Sequence, residues 1–127
     1  ELLTEPLLTQ YAEKRVTLVI DSGAVEWDLA DGPVAYLRLT ENVTSITIAG
    51  WADSPNACSP VLYRQQDVTG GRTMTGWPAA VAWFGGTEPP PTADPYAVDA
   101  IGLSTMNGGV SVMGSSNLGA IFTGHIG

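Results

Sequence analysis

Apolar residues occupy every second position in several short stretches after residue 15, with polar residues between them. The stretches "VTLVID", "YLRLT" and "SITIAGW" contain the alternating apolar side chains Val16, Leu18, Ile20, Leu37, Leu39, Ile46 and Ile48. Successive side chains of a β-strand point to opposite faces, so this spacing predicts strands with one buried face. Between them, "DSGA", "ADGP" and "TENVT" supply the Asp, Gly, Pro and Asn residues of tight turns. Because these connections are short, we expect neighbouring strands to be antiparallel.

Strand-like runs continue along the rest of the sequence, separated by glycine and proline. After a loop, "ADSPNACSP", come "VLYRQQ", "AVAWF", "AVDAIGLST", "VSVMG" and "AIFTG". Gly70 and Gly71 indicate a turn or bulge, and "NGG" at 107–109 fits a hairpin turn. The 15 glycines and nine prolines leave little room for an ordinary helix after Arg15. The pattern predicts an all-β domain of about eight to ten strands, arranged as an antiparallel β-sandwich or jelly roll.

The segment before the first strand has a different pattern. In "TEPLLTQYAEK", Thr4 is a suitable helix cap and Pro6 suits a first helical turn. Leu7, Leu8 and Tyr11 would then share one face. A chain of 127 residues fits one domain of ordinary size. We therefore divide it into an N-terminal arm or short helix, residues 1–15, and a β-sandwich domain, residues 16–127.

The stretch "GWPAAVAWFGGTEPPP" combines two tryptophans, a glycine pair and three prolines. Pro78 favours extended backbone at Trp77, and Trp83 falls on one face of the strand that follows. The three prolines predict an extended strap that cannot join the middle of a sheet. We interpret Trp77, Trp83 and the earlier Trp51 as anchors of the core or of a subunit interface. The alternative interpretation is an aromatic platform for sugar rings.

The region "QQDVTGGRTMTGWPAAVAWFGGTEPPPTADPYAVDAIGLST" resembles the compact β modules of tailed bacteriophage virions, which end tail fibres or stand alone as small surface proteins. The resemblance is carried by the order of Gln66, Asp67, Gly71, Arg72, Thr73, Trp77, Pro78, Val81, Trp83, Gly85, Gly86, Pro89, Val98 and Asp99. It covers about a third of the chain. Related modules often have an aromatic residue after the later glycine pair, whereas here Gly108 and Gly109 precede "VSVMG". The resemblance implies a non-enzymatic structural protein, commonly trimeric, displayed on a phage particle.

Composition narrows the range of partners. Hydrophobic residues make up 44% of the sequence and charged residues 14%, against a typical charged share of about 25%. So little charge on so apolar a chain favours association with copies of itself or with a larger body. The net charge of −8 opposes binding to nucleic acid and to anionic membranes, and no apolar run approaches the length of a membrane span. Cys58 is the only cysteine, so the chain has no internal disulfide.

Candidate catalytic groups are few. His125 is the only histidine and lies near the end of the sequence, where a catalytic base would lack a rigid orienting group. Glu26 and Asp28 alternate on one strand face. That spacing is typical of a solvated face, and it places two carboxylates poorly for action across a sugar. We therefore predict that the chain is not an enzyme.

Candidate ligand groups are equally scattered. Asp53, Asp94 and Asp99 do not follow the spacing of a calcium loop, and one histidine with one cysteine is a poor supply of zinc ligands. The loop "TGGR" lacks the lysine of a phosphate loop, and we expect its Arg72 to pair with Asp67. The sequence therefore predicts no metal and no cofactor.

These observations lead to the expectation of a phage virion protein: a homotrimer that decorates or cements the capsid by binding the major capsid protein or other virion proteins. In this hypothesis the arm docks on the capsid or on a neighbouring subunit. The expected interface or core anchors are Trp77, Trp83, Trp51, Leu7, Leu8, Tyr11 and Arg72.

Two alternatives remain open. The nearer one is a receptor-binding module at the tip of a tail fibre, whose loops at 53–60 and 107–117 would contact a host glycan. The other, from a different class, is a small glycoside hydrolase or a lectin-like sugar binder. Carboxylates placed across a deep groove would favour the hydrolase.

Overall fold

The computed structural model describes residues 9–127, and within them the chain is all-β, as the alternating pattern predicts. It contains eight strands and no helix in this range. The strands are β1 (Arg15–Leu18), β2 (Ala24–Asp28), β3 (Val34–Leu39), β4 (Ser45–Ala49), β5 (Val61–Gln66), β6 (Val81–Trp83), β7 (Val98–Thr105) and β8 (Val112–Ala120). The strand count lies at the lower end of the predicted range.

The predicted N-terminal helix is not confirmed. Residues 9–14 are exposed and non-helical up to the start of β1 at Arg15, and Tyr11 is 73% exposed. Leu7 and Leu8 lie outside the described residues. No helix among residues 9–127 is long and apolar enough to cross a membrane.

The strands form a six-stranded sheet in the order β1-β3-β5-β7-β8-β6 and a two-stranded sheet, β2-β4. Four of the six strand pairings are parallel: β1 with β3, β3 with β5, β2 with β4, and β6 with β8. The antiparallel pairings are β5 with β7 and β7 with β8. The expectation of an antiparallel arrangement is therefore wrong for most pairs, and the large sheet is mixed.

The path of the chain explains the parallel pairs. From β1 to β5 the chain alternates between the large sheet and the small one, so each short connection joins strands of different sheets. Two strands of the large sheet are therefore joined through a strand of the small sheet. This is a crossover connection, which parallel neighbours require. Short connections therefore did not imply antiparallel neighbours here.

The two sheets share one hydrophobic core. Leu37 and Leu39 enter it from β3, and Val25 and Trp27 enter it from β2. The indole Nε1 of Trp27 donates a hydrogen bond to the backbone carbonyl of Gly32 at 2.9 Å, so its polar atom is satisfied. Burying each large apolar side chain stabilises the fold by about 1.5–3 kcal/mol. Side chains of both sheets thus meet in this core, and the opposite face of the large sheet points away from it.

The hairpin predicted at "NGG" is confirmed. It joins β7 to β8, which pair antiparallel over most of their length. Gly108 and Gly109 both have positive φ angles, of 70° and 83°. A side chain at Gly109 would collide with the indole of Trp51. The turn therefore needs glycine for its backbone angle and for the close approach of Trp51.

Candidate functional site

A buried polar network begins in β5, where the sequence "RQQD" ends an otherwise apolar strand. The side chain of Gln66 accepts a hydrogen bond from the backbone N–H of Arg72 at 3.0 Å and donates to the carbonyls of Arg72 at 2.8 Å and Thr92 at 3.0 Å. Gln66 is 1% exposed. It therefore joins the glycine turn after β5 to the end of the proline strap.

The expected pairing of Arg72 with Asp67 is confirmed. Arg72 Nη2 lies 3.1 Å from Asp67 Oδ2, and Asp67 Oδ1 accepts the backbone N–H groups of Thr69 and Gly70. Burial raises the pKa of the Asp67 carboxyl, but the hydrogen bond from Gly70 and the charge and hydrogen bond of Arg72 lower it more, so it lies below its ordinary value. The ion pair closes the loop next to the Gln66 contacts and has a structural role.

Asp99 is the second centre of the network. Its Oδ2 accepts hydrogen bonds from Arg64 Nε at 2.9 Å and the Thr92 backbone N–H at 3.0 Å. Its Oδ1 accepts from the Thr92 hydroxyl at 2.8 Å and the Gly119 backbone N–H at 2.9 Å. Burial raises the pKa of the Asp99 carboxyl, but the hydrogen bonds from Thr92 and Gly119 and the charge of Arg64 lower it more, so it lies below its ordinary value. Arg64 also donates from Nη2 to the carbonyl of Pro89 at 3.1 Å, which fixes the strap over the core.

The buried side chain of Gln65 also forms hydrogen bonds with distant segments of the chain, on the opposite face of β5. Its Nε2 donates to the carbonyls of Tyr96 at 2.8 Å and Gly124 at 3.0 Å, and its Oε1 accepts from the Tyr36 hydroxyl and the backbone N–H of Ile126. Arg38 donates to the carbonyl of Gly127 at 2.8 Å. Residues 124–127 are thereby held across one end of this face and cover Tyr36, which is 2% exposed.

The two tryptophans of the cassette meet each other. The ring centroids of Trp77 and Trp83 lie 5.2 Å apart with the planes at 78°, an edge-to-face arrangement. Trp77 is buried in the core, while Trp83 and Trp51 are partly buried and pack against it. The burial of Trp77, at 7% exposed, leaves little of its indole face for a sugar ring.

The other candidate groups do not converge on one another. Glu26 and Asp28 are both exposed on β2, and His125 is an exposed residue whose ring stands edge-on to Tyr96 at 5.0 Å. Cys58 is partly buried. Among residues 9–127 no three His, Cys, Asp or Glu side chains come together as metal ligands would.

The face of the six-stranded sheet that points away from the core has an unusual composition. We call it the outer face; it consists of the outward positions of its strands together with Leu118 and Ala120, which line a groove on it near the end of β8: Arg15, Thr17, Val34, Tyr36, Arg38, Val61, Tyr63, Gln65, Ala82, Val98, Ala100, Gly102, Ser104, Met113, Ser115, Asn117, Leu118 and Ala120. The described part of the chain places no carboxylate at these positions, although the sequence has 13 Asp and Glu residues. Solvated sheet faces normally carry many charges. The outer face is therefore unusually poor in acidic side chains for a sheet face that points away from the core.

Two apolar grooves run along the outer face, and Tyr63 and Ile126 line both. One, of about 190 Å³, reaches Arg15 and Val34 at the β1 side. The other, of about 240 Å³, is lined on the β8 side by residues such as Leu118. Tyr63 is 38% exposed at the middle of the sheet and Leu118 is 49% exposed. An exposed apolar surface at the centre of a sheet is the expected signature of an interaction site.

Sequence reasoning did not identify the outer face or the buried roles of Arg64, Gln65 and Gln66. A signal for the outer face exists in retrospect: in "YLRLT", "VLYRQQ" and "AVDAIGLST" the positions between the core residues hold Tyr, Arg, Gln, Val and Ala but no acid. No family profile, curated protein or solved structure matches the chain. The assignment of a function therefore depends on this geometry.

Proposed function

We propose that the protein is a structural component of a tailed-phage virion, a homotrimer that decorates or cements the capsid surface. The observation that carries this proposal is the outer face: a sheet face without carboxylates that exposes the apolar side chains Tyr63, Met113 and Leu118, on a chain whose net charge is −8. The resemblance of residues 65–105 to phage β modules supports the same assignment. The residues of that resemblance, such as Gln66, Arg72 and Asp99, lie in the buried network.

The architecture suits a protein that works by contact area. We interpret the domain as a β-sandwich in which the β2-β4 sheet covers one face of the large sheet and neighbouring subunits cover the outer face. A protein that binds the assembled shell but not its separate parts stabilises the shell by mass action. Since a capsid offers many equivalent sites, a small contribution per copy is multiplied over the particle. The arm, residues 1–15, would add contacts to the capsid or to a neighbouring subunit.

A receptor-binding module of a tail fibre is the second candidate. Exposed apolar side chains at loop tips favour it: Phe84 is 71% exposed, Met106 70% and Val110 76%. Val110 belongs to the 107–117 region that the glycan-binding hypothesis invokes, and apolar loop tips are common at binding sites. Both candidates require a trimer with a covered outer face, and they differ in where the trimer sits on the particle.

The trimer is tested by sedimentation velocity of the purified chain at micromolar concentrations. We expect a trimeric mass, and a Leu118→Asp substitution on the outer face should raise the dissociation constant by at least about tenfold. Val68→Asp is the matched control, because Val68 is 66% exposed in the loop after β5 and is not an outer-face position. A monomeric wild-type chain, or equal effects of the two variants, would contradict the proposed interface.

The position on the particle is tested by cryo-electron microscopy of virions that contain the chain. Density for the domain at three-fold or quasi-three-fold positions of the head would support decoration. Density restricted to the tail tip would replace decoration by the receptor-binding alternative. Absence of the chain from purified virions would refute both.

A further inference from the structure

The charges of the outer face limit how two copies can meet on it. Its only ionised side chains are Arg15 and Arg38, one at each end of the β1-β3 side. Within residues 9–127 the ion pairs are Arg64–Asp99 and Arg72–Asp67, so neither arginine is paired with an Asp or Glu side chain in that range, and Arg38 donates a hydrogen bond to the Gly127 oxygen. If two outer faces pair about a two-fold axis that crosses the strands at right angles, the β1-β3 sides of the two copies overlap and these arginines approach each other. Like charges opposed in this way disfavour a symmetric pairing.

A surface of opposite charge lies on the other side of β1. A groove of about 410 Å³ runs between β1 and β2 and is lined by four carboxylates, Asp21, Glu26, Asp28 and Asp31, with no lysine or arginine. We call it the acidic groove. None of these carboxylates forms an ion pair within the described part of the chain. Val16 and Val19 supply apolar walls, and Val19 is 76% exposed.

We propose that the outer face of one copy binds a second copy of this chain through the acidic groove of that copy. This inference rests on the proposed trimer and specifies how its subunits meet. In this contact Arg15 and Arg38 oppose the carboxylates of the groove, while Tyr63 and Leu118 supply the apolar centre. Complementary charge then selects the correct partner surface and disfavours the symmetric pairing.

A contact between two different patches produces a closed ring or an open filament, depending on the angle between them. Here both patches border β1: Arg15 lines a groove of the outer face, Leu18 and Val19 line the acidic groove, and Thr17, an outer-face position, also lines the acidic groove. They therefore lie on adjacent sides of the domain and not on opposite ends. In the proposed contact this placement turns each copy relative to the next, as the closed ring of a trimer requires.

The test exchanges the charges of the two patches in the full chain. The outer-face variant is Arg15→Glu with Arg38→Glu, the groove variant is Glu26→Arg with Asp31→Arg, and the exchange variant combines all four. All four residues are exposed on the described chain. The control for the groove variant is Asp53→Arg with Asp94→Arg, which makes the same change of net charge at two exposed loop positions.

Sedimentation equilibrium at low and high salt measures each association constant. We expect each one-sided variant to weaken association by at least about tenfold, the exchange variant to recover wild-type affinity to within about threefold, and the control to stay unchanged. The differences should shrink as salt screens the charges. If the wild type is trimeric but the groove variant behaves as its control, or the exchange variant does not recover, the pairing is wrong and the trimer stands. If the wild type is monomeric, both the pairing and the trimer are refuted. If the exchange variant recovers its affinity but the protein is absent from virions, only the proposed function is refuted.

Discussion

Replacing Asp99 with asparagine tests whether the buried network holds the strap and the sheet together. The carboxylate accepts four hydrogen bonds, from Arg64, from the backbone and hydroxyl of Thr92, and from the backbone of Gly119. Asparagine has the same shape but keeps one acceptor oxygen and replaces the other with a donor. Whichever way the amide is oriented, two of the four donors then face another donor.

The magnitude follows from the burial of the pair. The side chains of Arg64 and Asp99 are 1% and 2% exposed, so water does not replace the lost partner. Removing one member of a buried ion pair costs about 3–5 kcal/mol, because the remaining charge is uncompensated. The Thr92 hydroxyl can rotate to donate elsewhere, which limits the additional cost. We therefore expect Asp99→Asn to lower the free energy of unfolding by about 3–5 kcal/mol, out of about 5–15 kcal/mol for a typical domain.

The assay is urea unfolding followed by tryptophan fluorescence and extrapolated linearly to water. Wild type and variants are compared at one protein concentration, because subunit association raises apparent stability. Asp94→Asn, an exposed carboxyl in the same connection, is the control and should change stability by no more than about 0.5 kcal/mol.

Arg64→Met provides a second measurement if Asp99→Asn does not fold. It should cost less than Asp99→Asn, since Asp99 keeps its three other hydrogen bonds and the remaining carboxylate is still solvated by donors. A loss below about 1 kcal/mol for Asp99→Asn, or a larger loss for Arg64→Met, would refute the network as the main restraint on the strap.

Three further predictions follow from the packing and the ionisation of this core. Trp77→Ala should lower the free energy of unfolding by about 3–5 kcal/mol in the same urea assay, because the indole is buried among core side chains. Tyr11→Ala, at an exposed aromatic residue, is the control, and a loss for Trp77→Ala no larger than for this control would contradict the core position. Gly114→Ala should lower the melting temperature, because a Cβ there would lie 2.5 Å from Cε3 of the Trp83 ring. A smaller loss for Gly114→Ala in a Trp83→Leu background than in the wild type would identify this collision as the main cause. The depressed pKa of Asp99 means that its contribution is complete above the pKa of an unfolded aspartate, near 4, and is lost as pH falls through the lower folded value. Urea midpoints measured across this acid range should therefore fall for the wild type and change less for Asp99→Asn.

The sequence by itself determined the local structure of the domain. Alternation located the strands, and "NGG" located the β7–β8 turn, because each depends on residues close in sequence. The pairing of Arg72 with Asp67 was predictable for the same reason, since five positions separate the two residues within one loop. Composition also predicts association, which stays a prediction, and it does not indicate which surface would associate.

Tertiary structure decided the strand order, the strand direction and the identity of the outer face. The alternating pattern of a strand is the same whether its neighbour is parallel or antiparallel. The crossover connections that make β1, β3 and β5 parallel therefore could not be predicted from the pattern. The polar network was hidden for a related reason: Gln65 reaches residues about 60 positions away, and Arg64 meets Asp99 across 35 positions. Whether a glutamine or an arginine in a strand is solvated or buried depends on partners that only the folded chain brings into hydrogen-bonding distance.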